Sequence, residues 1–479
     1  MRDSMVGSTS QRQENVAHHL NNPNNIIAPI ENLLGFKPFQ TVPCSALKYV
    51  RRHIRAGRYW LLTMQKINPE ITVPMPSPYS FFRPLLAADR SWTAFDWQSS
   101  AAFAGDANDV VRSFTESAAI PLADHQPLVV PVNPASLEQD AFVDSLGAGR
   151  VVFVLPSTSL ENTRTLDRCR FLHGKGYRLA VQINDASLVR QVPLGTFSFL
   201  WLDAAFARHD LSTLDIAYIR DAGFKTITTN VGSHEMFGWL HDRAFDWYDS
   251  HFLVTRNPNS GREPDLTRLK LLKLLNIVKH DGDTHDIEAI FREEPKLSYN
   301  LLRLVNSVAV GARTKISSFS QAIAILGRRQ LQRWLQLLIY ANNLADGNAP
   351  NPLMQMAAAR GRQMELLVAT IEPQPNIADL TDNAFMTGLF SLLDILIELP
   401  MREILKELPM QDEVVSALTP PDHNGVLGQL LSAVIAGESG QFSSAEAILA
   451  DLNISPATHA AAQVSALYWA TRINIDHHD

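Results

Sequence analysis

The chain has 479 residues, 46% hydrophobic and 19% charged, with a formal net charge of −7. This length allows two or three domains, each burying its own core, and the acidic balance excludes a general affinity for nucleic acid or anionic membrane. Two cysteines, Cys44 and Cys169, are too few for a disulfide framework, and no apolar run comes near the ~18 residues of a membrane-spanning helix.

Residues 1–30 are rich in Asn, Gln, Ser and His, as in a disordered tail. The polar N-terminus shows no signal-peptide core, so a cytoplasmic location without membrane insertion is expected. Residues 31–78 read as a basic extension and linker. Within it, 32–69 holds seven Lys or Arg, among them Arg51, Arg52, Arg55 and Arg58, and no Asp or Glu. This segment could bind an anionic surface, but Tyr49, Val50, Ile54 and Trp60 also need burial, so docking on the acidic remainder of the chain is favoured. No helix-turn-helix, zinc-finger or RNA-binding signature accompanies it. The proline-rich stretch Pro74–Pro78 forms the spacer.

From Tyr79 to Asn257, short apolar runs alternate with amphipathic ones. Predicted strands are Phe81–Ala87, Thr93–Gln98, Pro127–Val132, Arg150–Leu155, Arg178–Ile183, Phe199–Asp203, Lys225–Asn230 and Ser250–Thr255. Helices are predicted between most of them, including Asn162–His173, Leu211–Asp221 and Glu235–Arg243. This alternation implies an α/β unit with a parallel sheet, barrel or open. Beyond Pro264 the pattern is helical to Arg472, with Leu266, Leu269, Leu272 and Leu275 on one helix face.

Two stretches carry a specific signature: Leu301-Leu-Arg-Leu-Val-Asn-Ser307 and Leu326-Gly-Arg-Arg-Gln-Leu-Gln-Arg-Trp334. They resemble the core of the HDOD domain, a helical bacterial signalling module related to the HD phosphohydrolases but without their metal ligands. The resemblance implies an all-α domain over 258–479. The naming His-Asp dyad of the hydrolases would fall in Gly388–Asp394, where this chain has Ser391 and Leu392. The pairs His280-Asp281 and His285-Asp286 read instead as polar turn and cap residues. Arg328, Arg329, Arg333 and Trp334 are candidates for a partner-binding patch; the plainer reading is a solvated face stacking on Trp334.

Residues 79–257 resemble, more weakly, a degenerate EAL domain, a barrel-type cyclic di-GMP phosphodiesterase. The similarity rests on Phe82-Arg-Pro-Leu85 with Phe95-Asp-Trp97, on Val130-Pro-Val-Asn133, and on Tyr248–Arg256 as closing strand. Such catalysis needs two divalent metals held by carboxylates. The resemblance aligns the expected acids with Asp96, Val154, Gln182, Ile183 and Thr229, and an expected lysine with Trp201. Asp96, Asn133 and Asp203 remain as vestigial positions, and Asp185 lies two or three residues from a missing pair. An incomplete or distorted barrel is therefore expected, with no cofactor and no enzymatic activity. The function implied is a non-catalytic regulator that binds other signalling proteins. The alternatives are a residual cyclic di-GMP receptor or phosphodiesterase, which the lost motif disfavours, and a nucleic-acid-associated regulator acting through 32–69.

Overall fold

Eight short strands between Ser80 and Asp249 pair edge to edge and close into a barrel in chain order: β1 Ser80–Leu86, β2 Trp92–Ser99, β3 Leu128–Pro131, β4 Val151–Leu155, β5 Arg178–Ile183, β6 Phe199–Asp203, β7 Lys225–Thr229 and β8 Trp247–Asp249. The computed structural model describes residues 78–99, 107–256, 333, 336, 352–406, 410–419 and 425–472. All belong to one compact unit, Pro76–Asp479. The neighbouring pairs from β2 to β8 are parallel, whereas β1 runs antiparallel to both β2 and β8. The barrel is complete, which corrects the expectation of an incomplete one.

Helices α1 Ala107–Glu116, α2 Ile120–His125, α3 Asp140–Leu146, α4 Thr163–Gly174, α5 Ala204–His209, α6 Thr213–Asp221 and α7 His234–His241 cover the outside. Local chemistry sets their starts. Asn162 accepts the Thr165 N–H at 3.2 Å to open α4, and Ser212 with Asp215 forms a reciprocal capping box at α6. Strand residues alternate between two faces. Leu85, Ala94, Val152, Ala180, Phe199 and Ile227 fill the barrel interior, while Phe153, Leu155, Leu179 and Leu200 join the layer between strands and helices. Cys169 lies in that outer layer, where burial pushes its thiol up to about 12, as expected of a structural residue.

The predicted last strand, Ser250–Thr255, does not form. The strand ends at Asp249, and His251–Val254 make a 3-10 turn. The Asp249 carboxylate causes the break, accepting the His251 N–H at 3.1 Å and the Val231 N–H at 3.2 Å. β8 is thus three residues long against seven in β1. It meets β1 only at Leu85 and Leu86.

Every described element beyond the barrel is helical: α8 Pro352–Val368, α9 Leu380–Phe390, α10 Leu393–Ile397, α11 Met401–Lys406, α12 Asp412–Leu418, α13 Gly425–Glu438, α14 Phe442–Asp451 and α15 Pro456–Thr471. Arg333 and Gln336 are also helical. The predicted Leu266–Leu275 face lies outside the described residues. α8 and α9 cross where two glycines meet. A Cβ on Gly388 would lie 2.7 Å from the Arg360 carbonyl oxygen, and one on Gly361 would lie 2.7 Å from that of Phe385. The sequence reading also missed an apolar window, Leu380–Ile397, of 18 residues and mean hydropathy 1.3. It spans α9 and α10, holds Asp382 and Asp394, and is 72% buried against the rest of the protein, which suits a core helix pair.

Candidate site at the barrel mouth

The C-terminal ends of parallel barrel strands converge on one face, where such folds place their chemistry. Here that face holds a cleft of about 380 Å³ lined by Gln98, Pro131, Gln182, Ile183, Asn184, Trp201, Asp203, Phe206, Thr229 and Asn230. Four of the positions at which the EAL resemblance expects functional groups, Gln182, Ile183, Trp201 and Thr229, are thus gathered at the mouth. Val154 lies deeper, in the apolar interior. The lining contains one carboxylate and no Lys or Arg.

That carboxylate is already engaged. Asp203 caps α5 through Oδ1, which accepts the Ala205 and Phe206 N–H groups at 2.9 and 3.1 Å, and its Oδ2 accepts Asn230 Nδ2 at 2.7 Å. Asn133 does not line the cleft; it caps the 3-10 turn Pro134–Glu138 by accepting the Ala135 N–H at 3.0 Å. Asp185 is exposed beyond β5 and accepts the Ser187 N–H at 2.8 Å, a bond that with the Ser187 hydroxyl lowers its pKa.

Below the cleft lies a buried ion pair. Asp96, fully buried on β2, accepts Arg83 Nη2 at 2.5 Å and Gln98 Nε2 at 2.7 Å. Arg83 sits opposite it on β1. Burial pulls the Arg83 pKa down, but the charge and hydrogen bond of Asp96, with the charge of Asp249, outweigh it and leave the pKa raised. Burial raises the Asp249 carboxyl, partly offset by Arg83 and by its backbone N–H donors. Two divalent metals require several free ionised oxygens converging on one point. Asp96 is committed to Arg83, Asp203 is committed to its cap, and the other lining groups are neutral. The residues present therefore do not fit a two-metal centre. Among the described residues, no three His, Cys, Asp or Glu side chains converge on a metal position.

The second vestigial site is in the helical half. Ser391, at the dyad position, accepts Arg360 Nη1 at 2.7 Å and donates to the Gly388 carbonyl at 2.6 Å. Arg360 is 3% exposed and grips Glu438 of α13 with two nitrogens, Nε at 3.1 Å. Asp394, raised by burial, faces Arg256 of the barrel chain at 3.8 Å. A guanidinium thus occupies the ground on which the hydrolase resemblance would place metal ligands.

Of the predicted partner patch, Arg333 is described, and it does not belong to a solvated face. Its guanidinium pairs with Glu365 and, at 2.8 Å, with Asp382, and lies over the Phe385 ring. Arg328, Arg329 and Trp334 lie outside the described residues, as do Arg51, Arg52, Arg55, Arg58 and both His-Asp pairs. The sequence reading did not find the pairings Arg83–Asp96 and Arg360–Glu438. Arg83 stood in a quoted motif without a partner, and Arg360 is separated from Glu438 by 78 positions.

Comparison with known proteins agrees with the sequence signatures. Residues 267–406 match the HDOD domain. The uncharacterized protein YuxH of Bacillus subtilis is 28% identical over 202 residues, covering 42% of this chain and 47% of YuxH. The cyclic di-GMP phosphodiesterase CdgJ of Vibrio cholerae is 26% identical over 188 residues, covering 39% of this chain and 42% of CdgJ. The chain therefore spans less than half the length of either curated relative. Among solved structures, the FimX EAL domain of Pseudomonas aeruginosa bound to c-di-GMP is 16% identical with a TM-score of 0.30, covering 41% of this chain and 94% of that one. The chain carries an HDOD domain, preceded by a closed barrel whose sequence resembles the EAL domain, and this order is that of an EAL–HDOD protein.

Proposed function

We propose that this chain is a non-catalytic signal-transduction protein. Its EAL-like barrel, 79–257, serves as an input or docking platform. Its all-α HDOD half, 258–479, binds other signalling proteins, and residues 1–30 and 31–78 precede them as tail and linker. One observation carries the reading: at the barrel mouth the positions aligned with metal-holding acids are Gln182, Ile183 and Thr229, the one aligned with a lysine is Trp201, and Asp96 is neutralised by Arg83. Partner binding falls to surfaces such as Arg328, Arg329 and Trp334, since Arg333 is taken up internally. The purified full chain should not hydrolyse cyclic di-GMP with Mg²⁺ or Mn²⁺. Turnover that disappears on Asp203→Ala would overturn the proposal.

The open cleft favours a second reading, that of a receptor. Trp201 and Phe206 offer stacking faces, and Gln98, Gln182, Asn184 and Asn230 offer amide edges. The cleft lacks cations to grip phosphates, so cyclic di-GMP should bind weakly and without dependence on Mg²⁺, measured by calorimetry. Binding of nucleic acid through 32–69 ranks below both, and a steep salt dependence would reveal it.

A further inference from the structure

The barrel is closed by hydrogen bonds among its strands, yet its β1–β8 seam is short. β8 ends at Asp249 opposite Leu85. Toward the mouth, Ser80–Pro84 therefore present a sheet edge that no strand among the described residues covers. Unpaired edge groups buried in a protein need partners. Pro84 removes one donor from this edge. The rest of the edge is covered by α15, from the far end of the chain. The Gln463 side chain accepts the Phe82 N–H at 3.0 Å and donates to the Phe82 carbonyl at 3.2 Å. A primary amide is thus doing what a neighbouring strand would do. One helical turn earlier, His459 lies in the same seam beside the Ser80 backbone, with its ring 5.0 Å from that of Phe81 and its Nε2 3.3 Å from Gln363 Nε2. Four residues of helix rise about 6 Å and two residues of strand about 7 Å, so the 459/463 spacing matches that of Ser80 and Phe82. Tyr79 completes the row, donating its hydroxyl to the Ile454 carbonyl at 2.6 Å.

The neighbouring helix packs on the same strand. Phe442, first residue of α14, stacks on Phe81 with centroids 4.8 Å apart. Arg83 lies 5.6 Å from the Phe442 ring while it holds Asp96. Asp96 in turn holds Gln98, which lines the cleft. A Cβ on Gly437 would fall 2.8 Å from Phe81, so the α13–α14 corner fits against β1 without spare room. Both α14 and α15 lie beyond the HDOD match, which ends at residue 406.

We propose that α15 takes the place of a strand along the part of β1 that β8 does not reach, with α14 packed beside it on Phe81, and that Phe442–Arg83–Asp96–Gln98 couples this cover to the mouth. Displacing the two helices opens β1 from the seam, and a change at the mouth is felt in α13 and α14. Coupling of this kind is reciprocal, and it holds whatever the mouth binds.

Hydrogen–deuterium exchange on the full chain tests it. Gln463→Met keeps the volume and removes both bonds to Phe82. Exchange over 79–86 should rise roughly tenfold while β5 to β7 stay unchanged. In the reverse direction, Gln98→Met should raise exchange over 437–451. An unchanged 79–86 segment, a rise shared equally by β5 to β7, or no response of 437–451 to the mouth variant would each overturn the proposal. If Gln463→Met does not fold, Tyr79→Phe is read in the same way: a smaller rise confined to 79–86 supports the seam, and none refutes it.

Discussion

The barrel interior and the α8–α9 crossing each bury an arginine against a carboxylate, and they differ in what lies around it. Arg83–Asp96 sits beneath an open cleft lined by neutral amides and aromatic rings. Arg360–Glu438 lies where two helices approach through Gly361 and Gly388, and Ser391 takes a third bond from Arg360 at Nη1. The barrel site keeps an open cleft whose lining is neutral apart from Asp203, whereas at the helical site a paired guanidinium fills the space.

The largest effect expected from this contrast is on Arg360. Arg360→Ala leaves the half-buried Glu438 without its cation and opens a void at the crossing. Removing one partner of a buried pair costs about 3–5 kcal/mol. Urea unfolding should show that loss, and a change below about 1 kcal/mol would mean that water or another group takes over the site.

Acid should come next, and it acts on the seam between the two regions. Burial holds the His459 imidazole down at about 4, below the ~6.5 of an unfolded chain. The unfolded state therefore takes the proton first. The stabilisation is complete above about pH 6.5 and is lost as pH falls toward about 4, a difference on the order of 3 kcal/mol. Asp249, whose carboxyl is raised, acts in the opposite sense, since the folded state favours its protonated form. Unfolding midpoints across pH 7 to 4.5 should fall for the wild type, and His459→Gln should flatten the slope.

Arg333→Ala should cost about 2 kcal/mol, because Glu365 and Asp382 would lose a shared, half-buried partner. Thermal melting of this variant decides between an internal strut and the exposed partner patch that the sequence suggested. The smallest effect belongs to the mouth. The Gln182 side chain has no hydrogen bond among the described residues, so Gln182→Ala should shift stability by under about 0.5 kcal/mol. A large shift there would mean that the cleft is a structural core and not a vacated site.

Seven of the eight strands were legible in the sequence to within a residue or two, because a short apolar run bounded by polar and turn residues is a local property of the chain. The eighth was misplaced, since its end depends on one carboxylate turning back onto its own backbone. Residue patterning also located α4 and α6, expected at Asn162–His173 and Leu211–Asp221, and the structure adds the caps Asn162 and Ser212–Asp215. The EAL-derived alignment correctly brought Gln182, Ile183, Trp201 and Thr229 to one place, though composition alone would not have done so.

The sequence by itself determined the two-part order of the chain, strands then helices, which follows from residue type and short-range period. Only the tertiary structure decided which charges neutralise each other and how the barrel closes. Gln463 meets Phe82 across 381 positions and Tyr79 meets Ile454 across 375. No local propensity encodes such contacts, because they arise where a strand runs out and the nearest helix must satisfy the backbone it leaves bare.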